Sequence, residues 1–399
     1  GAMQALLAEA PHIWKQAKQK SDFALFAPTL GKIIDYTSRF ARYYDSGRPL
    51  YDILLDDYQH GLTMAELDGF FAVVKAELPP LIARIDQSRK AVDDAFLRKS
   101  FPLDLQAKLT DQLLTLMRLD RSRLVVGQSE HPFTTASCNR DVRITTHYYE
   151  YNLLSSVYST IHEGGHALYM MHVDDELNGT TLAEGASLAV HESQSRLFEN
   201  NIGRSRAFCN LLHKLLKQLF PEQLAGVNED MLYRACNKSR PSLIRIEADE
   251  LTYPLHILIR YELEKLLFNG DISLDDLPRE WNRLYQEYLG LEVPDDTRGV
   301  LQDTHWALGS FAYFPTYALG SAYSAQIMAA MEKELDVPTL IMQENLQPIV
   351  DWLTGNIYRY GGIKTVDKLI PEVCGAPFEP RYYTDYLKDK FAAIYHVSI

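Results

Sequence analysis

His162 and His166 stand four residues apart with Glu163 between them, in the run Ser159-Thr160-Ile161-His162-Glu163-Gly164-Gly165-His166-Ala167-Leu168-Tyr169. Residues four apart share one face of a helix, so two imidazoles at this spacing can hold one Zn²⁺, each at about 2.0–2.1 Å. Glu163, beside the metal, is placed to take a proton from a zinc-bound water. The chemistry on offer is metal-assisted hydrolysis. The bare HExxH pattern arises by chance in roughly two such chains in a hundred, so its surroundings must decide. A hydrolytic zinc site needs three protein ligands and one open position. Glu192, in His191-Glu192-Ser193-Gln194-Ser195-Arg196-Leu197, lies 26 residues after His166. That interval is enough for the first helix to end, a loop to pass through Asn178-Gly179, and a second helix to return. Glu184 and Glu199 rival it by spacing, and any of the three is otherwise an ordinary charge on a solvated helix face.

The elements that must position these residues are helical. Leu154, Val157, Tyr158, Ile161 and Leu168 form an apolar stripe flanking the histidines, as an amphipathic helix requires. Gly164 and Gly165 cost such a helix about 1 kcal/mol each relative to Ala, so something packs or binds close to the backbone there. Leu105, Leu109, Leu113, Leu116 and Leu119 repeat at helical spacing, as do Leu255, Leu258, Tyr261, Glu262, Lys265 and Leu266. Thr63-x-x-Glu66 before Leu67, Phe70, Phe71 and Val74 reads as a capping box opening a helix. Glu77-Leu78-Pro79-Pro80 marks a break or kink before Leu81 and Ile82. Strand signals are confined to residues 123–127 and 143–148, bracketing a Ser/Thr/Pro-rich loop from Gln128 to Asn139. These predict a small β-hairpin or sheet near residues 123–148 inside an otherwise helical body. No internal repeat, low-complexity segment or linker is present. One continuous helical domain over residues 4–399 is expected, with Gly1-Ala2-Met3 set aside as an expression scar.

Composition excludes several classes. The 399 residues carry 40 Lys+Arg against 53 Asp+Glu, a formal net charge of -13, with 46% hydrophobic and 23% charged residues. Those values are globular, and argue against a disordered or fibrous chain. The acid excess argues against nucleic acid as the main partner, since phosphate binding needs a basic face. No run of 18 apolar residues and no signal-peptide pattern occurs, so no membrane association is expected. Cys138, Cys209, Cys236 and Cys374 form no CxxC pair. They read as reduced thiols of a cytoplasmic protein, neither disulfide framework nor cysteine metal site.

Several motifs in order carry a resemblance: His131-Pro132-Phe133; Asp141-Val142-Arg143-Ile144-Thr145; His162-Glu163-Gly164-Gly165-His166; His191-Glu192-Ser193-Gln194; Ile244-Arg245-Ile246-Glu247-Ala248-Asp249; and Gly299-Val300-Leu301-Gln302-Asp303-Thr304-His305-Trp306. Residues 311–320, Phe311 to Gly320, extend it. From about Trp14 to the C-terminus the chain resembles the carboxypeptidase Taq family of zinc metallocarboxypeptidases. The resemblance implies a mainly α fold, a single large helical body of the zincin-like, neurolysin-like kind, saddle-shaped, with zinc at the floor of a deep central groove. It further implies a homodimer, and the release of single residues from peptide C-termini with broad specificity. It makes His162, His166 and Glu192 the metal ligands and Glu163 the base. Family members usually carry a helical segment upstream of the point where this chain begins, so the chain is expected to be a truncated or shorter member.

Within those motifs, a substrate's terminal carboxylate calls for an arginine fork. Arg245 is the expected partner, with Arg143 bracing the Asp141 loop and Arg298 paired locally. The alternative for Arg245 is an ion pair with Glu247, Asp249 or Glu250. The oxyanion of the tetrahedral intermediate needs a donor besides the metal: His305, then Tyr313 and Tyr317. Trp306 reads as core. His131 either closes one end of the groove or sits in a rigid turn set by Pro132. Asp249 and Asp303 are candidate acceptors for the zinc histidines' outer N–H groups, and His191 either joins them or is a satisfied buried histidine. The expected substrate is a peptide with a free C-terminus, and the cofactor Zn²⁺, with Co²⁺ or Mn²⁺ as substitutes. Two rival readings are an endo-acting oligopeptidase or dipeptidyl carboxypeptidase on the same scaffold, and a catalytically impaired peptide- or metal-binding protein.

Overall fold

The helical periodicity of the sequence becomes sixteen α-helices over residues 1–88 and 90–398, which the computed structural model describes. The chain opens with α1 (Ala2–Lys20), α2 (Ala27–Tyr44), α3 (Leu50–Asp56) and α4 (Met64–Ser88). It continues through α5 (Leu103–Leu116), β1 (Leu124–Gln128), β2 (Thr134–Cys138), β3 (Asp141–Thr146), α6 (Leu153–His172), α7 (Leu188–Arg196), α8 (Arg206–Leu219) and α9 (Glu229–Cys236). Next come α10 (Tyr253–Asn269), α11 (Leu277–Leu289), α12 (Phe314–Met331), α13 (Val337–Met342), α14 (Gln347–Asn356), α15 (Val366–Cys374) and α16 (Arg381–Tyr395). The fold is mainly α with one small sheet, as expected. Helix α1 starts within the three residues set aside as a scar.

The described residues group into two compact units, neither contiguous in sequence. One comprises Gly1–Ser88 with Ser239–Ala318, the other residues 90–238 with Leu319–Ser398. In the first unit, the capping box forms: Thr63 N donates to Glu66 Oε2 at 2.9 Å and Glu66 N donates to Thr63 Oγ1 at 3.3 Å. Of the break or kink expected at Pro79-Pro80, the break does not occur: α4 runs through both prolines. The spacing of its apolar residues explains why. Val74, Leu78, Leu81, Ile82 and Ile85 keep one buried helical face across the pair, and that burial outweighs the roughly 3 kcal/mol an interior proline costs.

In the second unit the sheet has order β1-β3-β2. Strand β3 pairs parallel with β1 and antiparallel with β2, with an irregularity at Ala136/Cys138. Val142, Ile144 and Thr146 of β3 are buried, the alternation of a half-buried strand. Strand β2 was not foreseen. It lies in the segment read as loop, and Thr-Thr-Ala-Ser-Cys has no apolar alternation to announce it. Thr146 Oγ1 reaches Thr160 Oγ1 at 3.2 Å, tying the sheet to α6. Helix α5 is tied to α6 by Ser156 Oγ donating to Gln106 Oε1 at 2.8 Å. Leu119 falls beyond α5, after Arg118 turns the chain at φ 66°.

Candidate metal centre and catalytic residues

Helix α6 is buried nearly all round. The stripe left half-open along its inner turns is Ser155, Ser159, His162, His166 and Met170, at helical spacing. The two histidines therefore share the accessible face, while Val157, Tyr158, Ile161 and Leu168 anchor the helix in the core. The glycines after Glu163 show why they are there. A Cβ on Gly165 would lie 2.6 Å from Gln194 O and 2.7 Å from Ser195 Cα, so α6 and α7 meet backbone to backbone. A Cβ on Gly164 would meet only the Met117 thioether, at 2.7 Å from its Cε, and then Leu119. Contact this close brings Glu192, two residues before Gln194, beside the histidines. A Cβ on Gly320 of α12 would lie 2.5 Å from Glu192 Cγ, so this glycine lets α12 pack directly on the Glu192 side chain.

The ligand-type atoms of His162, His166 and Glu192 lie within 4.8 Å of one another. Glu192 Oε2 is 3.7 Å from His162 Nε2 and 3.4 Å from His166 Nε2. Ligands about 2 Å from a tetrahedral ion are themselves about 3.3 Å apart, so this N₂O set has the size to hold one. The remaining donor atoms face elsewhere. His162 Nδ1 is 2.9 Å from Glu199 Oε2, and His166 Nδ1 is 2.6 Å from His191 Nδ1. With Nδ1–H donating outward, each Nε2 lone pair is left for a metal. Arg196 donates its Nε to Glu192 Oε1 at 2.7 Å, leaving Oε2 as the oxygen that faces the histidines.

Glu199 was expected as a rival ligand, and it takes another place. It sits in a π-helical turn, Leu197–Ile202, that follows α7, and approaches His162 from the Nδ1 side, with Arg196 and Arg204 at 3.3 and 3.4 Å. The acceptors proposed for the metal histidines are thereby corrected. Asp249 instead caps its own turn, accepting from Ser239, Arg240, Leu251 and Thr252. Asp303 is taken up by two arginines. Glu184 is exposed.

Electrostatics follow from this crowding. Burial raises the Glu192 carboxyl, but Arg196 and the two histidines outweigh it and hold the group well below its ordinary range. Glu199 likewise falls to about 2 against its burial, through Arg196, His162 and Arg204. His162 is pulled down by burial and more strongly up by Glu192, Glu199 and Glu163, for a net rise. His191 is lowered to about 3, mostly by burial and then by His166, so a neutral imidazole is available to accept from His166. Glu163 is buried, and Thr134 Oγ1 of β2 donates to its Oε2 at 2.5 Å. His131 is exposed, and its imidazole makes no hydrogen bond among the described residues; its carbonyl accepts from Ser129 Oγ at 2.6 Å.

Of the other expected site residues, Arg245, His305, Tyr313 and Tyr317 belong to the first unit. Arg245 is buried, and it pairs with none of Glu247, Asp249 or Glu250. Its Nε and Nη2 both lie 2.9 Å from Asp303 Oδ1, and Nη1 donates to Tyr253 OH at 3.1 Å. Arg260, on no earlier list, takes the other oxygen, with Nη2 2.7 Å from Asp303 Oδ2. Two guanidiniums thus share one carboxylate, leaving one positive charge in excess. His305 Nε2 is 3.2 Å from Tyr317 OH, while its Nδ1 is buried without a partner. Burial first, then Arg245, lowers the His305 imidazole to about 4. Tyr313 packs edge-on against Tyr58 and Tyr317. Arg143 and Arg298 are paired as expected, with Asp141 at 2.8 Å and Asp295 at 2.6 Å, and Trp306 is buried.

The family model described as Carboxypeptidase Taq (M32) metallopeptidase matches residues 1–391. The chain belongs to this family. It is 41% identical over 391 residues to Carboxypeptidase 1 of Bacillus subtilis, covering 98% of this chain and 78% of the relative. It is 38% identical over 397 residues to Thermostable carboxypeptidase 1 of Thermus thermophilus, covering 97% and 78%. The crystal structure of the M32 carboxypeptidase from Deinococcus radiodurans R1 superposes with a TM-score of 0.97 at 35% identity, covering 99% of this chain and 80% of that one. The M32 chain is thus a metallocarboxypeptidase, a peptide hydrolase. Among its described residues no helix is long and apolar enough to cross a membrane.

Proposed function

We propose that this M32 chain uses Zn²⁺ to release single C-terminal residues from peptides, and that His162, His166 and Glu192 hold the ion. What carries this reading is the convergence of two Nε2 atoms and one carboxylate oxygen, each residue's other polar atom being tied to a second partner. Co²⁺ or Mn²⁺ suits the same donor set. When bound, such a cation polarises the scissile carbonyl as a Lewis acid and lowers the pKa of water beside it. Glu163 takes the proton of the attacking water and passes it to the leaving amine. His305 donates to the developing oxyanion, with Tyr313 and Tyr317 as alternatives, and His131 limits substrate entry. Arg245 receives the terminal carboxylate, a role supported by the positive charge left over when Arg245 and Arg260 share Asp303. The reading includes a homodimer in the cytoplasm, which light scattering and cell fractionation check.

The test is Glu163→Gln assayed on one unblocked peptide and on its C-terminal amide. General-base catalysis contributes about 10²–10⁴-fold, so E163Q should lose at least that much kcat while keeping its metal. The wild type should release single residues from the free peptide and nothing from the amide. Dipeptides or internal fragments would move the chain to the oligopeptidase reading. Metal binding without any hydrolysis would make it a binding protein.

A further inference from the structure

Among the described residues, Glu163 is hydrogen-bonded by one side chain from outside its own helix, Thr134. The residue opens β2, the edge strand beside β3. Its backbone is pinned on both flanks. Phe133 N donates to Thr145 Oγ1 at 3.0 Å, Thr145 N donates to Phe133 O at 2.9 Å, and Thr134 pairs with Ile144 in the ladder. The following residues Thr135, Ala136 and Ser137 are exposed, so Thr134 is the half-buried exception at the strand's start. Its hydroxyl lies 2.5 Å from Glu163 Oε2 and 3.1 Å from the Glu163 carbonyl oxygen. A hydroxyl has one proton to give. The shorter contact falls in the range of charge-assisted O–H···O⁻ bonds, so the carboxylate receives it. The β-branch restricts the rotamer, and the pinned strand restricts the backbone. Among the described residues no donor reaches Oε1.

We propose that Thr134 is a positioning residue for Glu163: its hydroxyl occupies Oε2 and so makes Oε1 the oxygen that takes and returns the proton. The arrangement mirrors Glu192, whose Oε1 is occupied by Arg196 so that Oε2 faces the histidines. Ser195 Oγ also lies 3.2 Å from Glu192 Oε2, but its shorter contact, 2.6 Å, is to the Glu192 carbonyl, so in each carboxylate the stronger donor holds one oxygen. A carboxylate free to rotate about its last bond presents either oxygen at a range of angles, and misplacement of a catalytic group on this scale costs rate without costing binding. The proposal rests on Glu163 being the base.

Thr134→Val keeps the shape and the methyl but removes the donor; Thr134→Ser keeps the donor and loses the methyl. T134V should lower kcat about 10- to 100-fold, with KM, metal content, melting temperature and affinity for a non-hydrolysable peptide analogue unchanged. T134S should stay within a few-fold of wild type. A role confined to packing the strand on α6 gives the reverse order, with T134V active and T134S impaired, and overturns the proposal. So does a T134V loss that appears equally in KM or metal content. Should T134V fail to fold, Thr134→Ala carries the same comparison with T134S. E163Q separates the two levels: an active E163Q sinks the assignment of Glu163 itself, whereas an inactive E163Q beside a fully active T134V sinks only the role of Thr134.

Discussion

In the second unit, Glu192, Glu199, His162, His166, Arg196 and Arg204 form a chain of charge-assisted contacts that ends in three lone pairs facing one another. In the first unit, Asp303 sits between Arg245 and Arg260, one carboxylate for two guanidiniums. All five N–H groups of fully buried Arg260 find acceptors: two contacts to Asp303 Oδ2, then Gln302 Oε1, His256 O and Tyr285 OH. An arginine has five such donors, so Arg260 is closed on the fold, and Arg245 is the guanidinium that the proposed function gives to the substrate. The cluster of His162, His166 and Glu192 leaves three ligand-type atoms within 4.8 Å of one another, as the proposed metal site requires. Both clusters bury acids and bases together; what separates them is whether any polar atom is left facing its own kind. A side chain whose polar atoms are all closed on the protein, as those of Arg260 are, serves the fold. Substitution of an acid should therefore have different consequences in the two places.

The largest effect is expected from Asp303→Asn. It leaves two buried guanidiniums, Arg245 and Arg260, facing an amide that offers one acceptor oxygen and an N–H₂ donor. Breaking a buried pair by removing one partner costs about 3–5 kcal/mol, and a denaturant melt should record a loss of that order. A D303N protein within about 1 kcal/mol of wild type, the usual worth of an exposed pair, would show that the cluster is not closed by charge.

This contrast also explains what could be read from the residues alone. The open cluster announces itself because its core is local: HExxH puts His162, Glu163 and His166 on one helical turn, and the glycines beside it signal close packing. Glu192 and Glu199 could not be ranked by spacing, since they lie two helical turns apart on the same returning segment and both reach His162. The π-helical turn and the choice between Nε2 and Nδ1 decide between them, and neither has a sequence signature. The closed cluster was harder to see. Arg260 sits inside a helix whose apolar stripe looked ordinary, and its partners are 42 and 43 residues away in Gln302 and Asp303. Strand β2 was invisible for a different reason: an edge strand with exposed small and polar residues carries no hydrophobic period. Pro79-Pro80 does not end α4 because the burial of one helical face across the pair overrides local propensity.

A second closed cluster sharpens the point through pH. Glu264 is fully buried and accepts from Tyr51 OH at 2.7 Å, Trp306 Nε1 at 2.7 Å and Ala312 N at 2.8 Å. Ala312 donates from the left-handed region, at φ 61°. None of these three donors carries charge, and burial outweighs them, pushing the carboxyl from 4.5 up to about 7. The folded state therefore binds this proton more tightly than the unfolded chain. The stability it contributes is complete below about pH 4.5 and is lost as pH rises through about 7, an upper bound of about 3 kcal/mol across the window. Glu264→Gln cannot titrate. Its stability level will shift, because an amide N–H₂ must face one of the three donors, but the slope between pH 4.5 and 7 should flatten. An unchanged slope in chemical-denaturation curves would assign it to another group.

The smallest effect, and the one that tests the open cluster, is expected from Glu199→Gln. Glu199 accepts from His162 Nδ1 and is itself held by Arg196 and Arg204. A glutamine oxygen can still accept that hydrogen bond, so the His162 tautomer is preserved, but the negative charge that raises the imidazole's basicity is gone. Loss of such an outer partner typically costs about 10–100-fold in metal affinity. Zinc competition against a chelator should record that fall, while the metal-free melting curve moves by much less than in D303N. The reverse outcome, a damaged fold with unchanged zinc affinity, would mean that Glu199 serves the arginines rather than the histidine, and the two clusters would then be alike. If the metal affinity falls and the fold holds, removing an acid costs structure where the polar atoms are closed on one another and costs a ligand where they are not.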